Sequence, residues 1–129
     1  MTVSRTRPLI AVVATAALIS TLAVAAAARP AVRAVPTRDT RIVKAMSSSW
    51  SPTTIRISRN DTIKWKAVVG SHTVTAYGGN WHFNHSLIVG SPVIRRFTQT
   101  GTFKFRCTFH SSLAGTQCTG MCGKVVVPA

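Results

Sequence analysis

From Gly101 to Cys107 the chain reads GTFKFRC, with Phe103, Phe105 and Cys107 at one parity and Lys104 and Arg106 at the other. Successive side chains of an extended strand point to opposite faces, so this pattern specifies a strand with one buried face. It also aims the Cys107 thiol inward. Apolar and polar residues alternate likewise in TIRIS, through Ile55 and Ile57, and in TIKWKA, through Ile63, Trp65 and Ala67, with the turn residues RND between them. SHTVTAY continues with β-branched residues, whereas YGGNWHFNHS carries the Gly, Asn and Ser that mark a loop. SPVIRRFT reads as a less regular strand suited to a sheet edge, because Arg95 and Arg96 are adjacent. GKVVV closes the chain as a short strand. No segment after residue 40 sustains a helical period, and six to eight short strands at regular spacing predict an all-β sandwich or barrel.

Ahead of these strands, Arg5 and Arg7 precede an uninterrupted, mostly apolar run from Leu9 to Ala28, the layout of a signal peptide. Ala25, Ala26, Ala27 and Ala28 offer cleavage points, and the run is also long enough to cross a bilayer if retained. The expectation is a leader over 1–28 that is cleaved on export to an extracellular, periplasmic or cell-envelope location, with an uncleaved membrane anchor as the alternative. RPAVRAVPTRDT mixes Pro, Arg and small residues and reads as a linker over 29–40. Residues 41–129 then form one small domain with a modest core. That domain holds eleven Lys and Arg against the single acid Asp61, a charge that implies acidic partners or an anionic envelope surface. Specific nucleic-acid binding is not expected, since it calls for basic residues among exposed aromatics and the aromatics here fall mostly on inward strand faces.

All three cysteines lie in the segment FRCTFHSSLAGTQCTGMCGKVVV. An odd number leaves at least one thiol unpaired, and in an exported chain that thiol calls for a role. Cys107 and His110 form a C-x-x-H pair at a strand end; zinc would need further ligands, with His72, His82, His85, Cys118 and Cys122 as candidates. His72 opens a β-branched strand that a sandwich can bring against the strand end carrying Cys107, and Met121 adds a thioether beyond it. Two imidazoles, one thiolate and a weak axial thioether are the ligand set of an electron-transfer copper site, because soft sulfur suits Cu(I) while imidazole is acceptable to Cu(II). The plainer alternative is a disulfide through Cys107, with His110 an ordinary exposed histidine. His82 and His85 form an H-x-x-H in the expected loop and read as solvated histidines, a second metal site being the alternative.

These residues resemble the small blue copper proteins, the cupredoxins of the plastocyanin and azurin type. The resemblance covers essentially all of 41–129 and is carried by SWSPTTIRISRNDTIKWKAVVGSHTVT, FTQTGTFKFRCTFH and MCGKVVV. It implies a Greek-key β-sandwich of about seven to eight strands holding one type 1 copper ion, with His72, Cys107, His110 and Met121 as ligands. It further implies that the backbone N–H of Thr73 supports the Cys107 sulfur. SSLAGTQCTG makes the interval between His110 and Met121 longer than the family's shortest ligand loops, and Met46 is the other methionine available in the domain. On this resemblance, Cys118 and Cys122 pair in a local disulfide that stiffens the longer loop and leaves Cys107 free for metal, while Leu113 joins an apolar rim beside His110. The implied function is that of an exported, non-enzymatic one-electron carrier that cycles Cu(II)/Cu(I) and docks transiently to acidic redox partner proteins. Two other classes stand beside it: an extracytoplasmic copper-binding or delivery protein, and a cationic metal-free module that binds anionic polymers. A multicopper enzyme would need further copper motifs and more domains.

Overall fold

The computed structural model describes residues 37–129, which form nine strands and no helix. The expected leader over 1–28 and most of the linker lie outside the described residues. Among those that are described, no helix is long and apolar enough to cross a membrane.

The strands are β1 (Thr40–Ala45), β2 (Trp50–Ser51), β3 (Thr54–Arg56), β4 (Thr62–Ala67), β5 (Ser71–Tyr77), β6 (Asn84–Ile88), β7 (Val93–Arg96), β8 (Gly101–Ala114) and β9 (Gln117–Val127). They form a four-stranded sheet in the order β2-β1-β4-β7 and a five-stranded sheet in the order β3-β9-β8-β5-β6. Parallel pairing of β1 with β4 and of β3 with β9, amid otherwise antiparallel neighbours, requires the chain to cross between the sheets. One crossing falls at Ser51–Pro52, a cis peptide between β2 and β3. Proline has no N–H to give a ladder, so the extended segment there divides into two short strands, one in each sheet. This division raises the count to nine, above the seven to eight expected.

Three further differences have local causes. Ordered structure begins before residue 41: the Asp39 amide donates to Asp61 Oδ1, and the Thr62 amide donates to the Asp39 carbonyl. The expected loop through Asn84 and Ser86 is instead the start of β6, a sheet-edge strand on which exposed polar residues carry little cost. SSLAGTQCTG is not a loop either; apart from the Ala114–Gln117 turn, it continues the β8–β9 hairpin, pairing Ser111 with Gly120 and Leu113 with Cys118. As expected, β7 is an edge strand.

The core lies between the sheets, where alternate residues converge: Val43 and Ala45 of β1, Ile63 and Trp65 of β4, Phe103, Phe105 and Cys107 of β8, and Val125 and Val127 of β9. Among the described residues, every member of this buried cluster falls between Val43 and Val127, so the chain from Thr37 onward carries that cluster whole. Phe105 is its centre, edge-on to Trp50 at 5.1 Å and to Trp65 at 5.4 Å between ring centroids. Its strand partner is Gly123, where an added Cβ would come within 2.5 Å of the Phe105 ring. Glycine there makes room for the ring. Truncating Phe105 to alanine would remove both aromatic contacts at a cost of about 3–5 kcal/mol.

Candidate metal centre

Cys107 is fully buried and takes no part in a disulfide. Strict alternation along β8 would send residue 109 to the same side as Cys107 and residue 110 to the opposite side. The β8–β9 ladder instead breaks register between Arg106 and Ser111. Beyond the break Phe109 turns outward, 66% exposed, and His110 turns back so that its Nδ1 lies 3.3 Å from Cys107 Sγ. Gly120 makes this arrangement possible. It pairs with Ser111 at φ +90°, and an added Cβ would sit only 2.4 Å from the His110 carbonyl oxygen. A side chain at that position would push β9 away from the His110 backbone.

His72, buried near the start of β5, brings the third donor, its Nδ1 3.7 Å from Cys107 Sγ. Its Nε2 is 2.7 Å from the Val69 carbonyl oxygen, which can only accept, so Nε2 carries the proton and Nδ1 presents its lone pair to the sulfur. A ring nitrogen that donates outward while the other faces a metal position is the usual arrangement of a metal-ligating histidine. One ligand atom each from His72, Cys107 and His110 lies within 4.8 Å of the others, and this is the only grouping of three His, Cys, Asp or Glu donors among the described residues. His110 is the least buried of the three. A mixed thiolate and imidazole set of this kind fits one type 1 copper ion.

The surrounding bonds hold the donors without competing for them. The Thr73 amide donates to Cys107 Sγ at 3.4 Å. The Thr73 hydroxyl oxygen accepts from the Thr108 amide at 2.9 Å, tying β5 to β8 beside the cysteine, and from the Thr75 hydroxyl of its own strand at 2.9 Å. Ser111 donates to the Cys107 carbonyl, and Arg106 donates to Ser111. Met121 lies in the buried cluster with Cys107, and its carbonyl accepts from Trp50 Nε1 at 3.0 Å. Met46, by contrast, is exposed. Cys118 and Cys122 are joined by a disulfide within β9 that brackets Met121 and Gly120.

The remaining histidines are apart from this site. His85 is exposed on β6 with its ring 4.4 Å from that of Phe83, and His82 is exposed just before the strand. Neither belongs to a grouping of three donors among the described residues. Sequence reasoning missed the Val69 carbonyl, the Trp50 anchor and Gly120. Only Gly120 left a signal, since a glycine between two cysteines in a small-residue run marks a close approach or a turn.

No protein-family model and no curated protein sequence matches the chain. Solved structures do. A mutant amicyanin in its reduced state superposes with TM-score 0.54 at 23% identity, over 67% of this chain and 79% of its own. Pseudoazurin from Methylobacterium extorquens AM1 superposes with TM-score 0.55 at 21% identity, over 69% and 75% respectively. A purple cupredoxin from Nitrosopumilus maritimus superposes with TM-score 0.53 at 20% identity, over 67% and 97%. The fold is that of a cupredoxin.

Proposed function

We propose that the protein is an exported one-electron carrier in which His72 Nδ1, Cys107 Sγ and His110 Nδ1 would hold a single type 1 copper, with the Met121 thioether as a further, weaker donor. When bound, copper supplies a one-electron Cu(II)/Cu(I) couple. The observation that carries this reading is the convergence of three donor atoms within 4.8 Å, with the His72 tautomer already fixed by the Val69 carbonyl. Sites prearranged in this way change little between redox states.

The chain's own residues account for the rest of the role. The Thr73 amide draws electron density from the thiolate, and burial of Cys107 and His72 keeps water from the sulfur. His110, the least buried ligand, is the route outward, with Phe109 and Leu113 exposed beside it as an apolar contact for a partner. Eleven Lys and Arg against one acid in 41–129 favour acidic redox partners and an encounter rate that falls with salt. Export rests on the leader pattern of 1–28. The role makes and breaks no substrate bond, which is the basis for reading the protein as a carrier and not an enzyme.

Voltammetry of the copper-loaded protein, run with and without a Cu(I) chelator, tests the proposal. A carrier gives a reversible one-electron wave and keeps its metal when reduced. Rapid loss of reduced copper to the chelator would favour a delivery protein.

A further inference from the structure

The outer face of the β2-β1-β4-β7 sheet has no role in holding His72, Cys107 or His110, all of which belong to the other sheet. Register places Ile42, Lys64 and Ile94 in one row across β1, β4 and β7, and sets Lys44 directly opposite Lys66 in the next. Ile42 is 47% exposed and Ile94 57% exposed, so two large aliphatic side chains stand in water on either side of a lysine. Adjacent strands are about 4.8 Å apart, and like charges set opposite each other across strands are destabilising. Among the described residues no side-chain carboxylate relieves this. Of the two acids among the described residues, Asp61 accepts from the backbone amides of Asp39 and Ser58, and Asp39 pairs with Arg41 at 3.0 Å.

We infer that this face docks flat on an anionic phospholipid surface, independently of copper. Lysines supply attraction to acidic headgroups, their aliphatic stems lie along the apolar surface, and the two isoleucines enter the boundary between headgroup and acyl chain. The opposite sheet distinguishes charge from this combination. Its outer face also carries Arg56, Lys104 and Lys124, but Thr54, Thr75 and Tyr77 lie between and beside them, and its exposed aliphatic side chains stand away from those charges, Ile88 opposite Ser71 at the far end of β5 and Leu113 opposite Cys118 near the hairpin tip. Charge alone would suit an acidic protein or polymer on either face; paired isoleucines among lysines favour lipid. In the alternative in which the Leu9–Ala28 run is retained as an anchor, that run ends eleven residues before β1, the strand that carries Ile42 and Lys44, and the same face lies next to the bilayer. Docked on this face, the protein leaves its other sheet, with His110, free to meet a partner.

The test is co-sedimentation of the chain from Thr37 onward with vesicles of phosphatidylcholine alone and of phosphatidylcholine mixed with phosphatidylglycerol, in 0.15 M salt. Binding is expected to the mixed vesicles only. Replacing Lys44, Lys64 and Lys66 by glutamine should weaken it about fivefold per residue, on the order of a hundredfold for the three. Replacing Arg56, Lys104 and Lys124 by glutamine removes the same charge and should weaken it far less. Ile42→Ser with Ile94→Ser, which keeps every charge, should weaken it at least tenfold. Equal losses from the two charge triples, an unchanged partition in the isoleucine variant, or binding to a soluble polyanion without binding to vesicles would each overturn the inference.

Discussion

The Thr73 amide and the Cys107 sulfur meet across β5 and β8 at 3.4 Å, and the hydroxyl of the same threonine receives the Thr108 amide at 2.9 Å. One residue thus holds both the sulfur and the strand that carries it. Thr73→Val keeps the shape and removes the hydroxyl, leaving the Thr108 amide without its acceptor. The metal-free protein should lose about 0.5–1.5 kcal/mol in urea unfolding, the net worth of one part-buried hydrogen bond. A loss within error would mean that water replaces the hydroxyl.

Met121 is buried in the core while its carbonyl is anchored by Trp50 Nε1. Met121→Leu conserves volume and should cost less than about 1.5 kcal/mol. With His72, Cys107 and His110 in place, copper should remain bound. Losing a thioether donor disfavours Cu(II) more than Cu(I), so the reduction potential measured by voltammetry should rise. An unchanged potential would exclude Met121 from the copper shell.

The Cys118–Cys122 disulfide closes a short stretch of β9 around Gly120 and Met121. Loop-closure entropy for so short a ring amounts to about 2 kcal/mol. The double variant Cys118→Ala with Cys122→Ala should lose that much stability and gain protease cleavage between Ser111 and Gly120, yet still bind one copper per chain. Loss of copper binding would show that the disulfide positions the ligands themselves.

Hydrogen bonds from the Asp39 and Ser58 amides hold the Asp61 carboxyl below its ordinary value of 3.8, helped by nearby Arg41. Burial opposes them and does not prevail. Because the folded-state value is the lower one, the stabilisation is fully present above the unfolded value and disappears as pH falls through the folded value. Unfolding free energy measured from pH 6 down to pH 2 should therefore fall with acid, and Asp61→Asn should flatten that fall. An equal slope in the variant would assign the acid sensitivity elsewhere.

Much of the sandwich was legible in residues that bury one face: Ile63 and Trp65, or Phe103, Phe105 and Cys107, cannot alternate without being a strand. The parts that were not legible have other causes. Ser111 to Gln117 extends a hairpin by backbone pairing alone, with no buried face to impose a pattern. Asn84 to Ser86 forms a sheet-edge strand from residues that usually mark loops. At the site, Cys107 and His110 were readable because chemistry depends on residue type. That His110 turns toward Cys107, and Phe109 away, follows from a register break that alternation cannot foresee. The bonds of Val69 and Trp50 use groups that every chain, or every tryptophan, possesses, so only the folded geometry identifies them.

The central claim is that Cys107 Sγ, with His72 and His110, binds copper directly, and visible absorption during titration with Cu(II) tests it most directly. The wild-type protein should develop an intense copper–thiolate band that saturates at one equivalent, and Cys107→Ser should show none. A wild type that stays colourless with Cu(II), or a serine variant that keeps the band, would contradict the account.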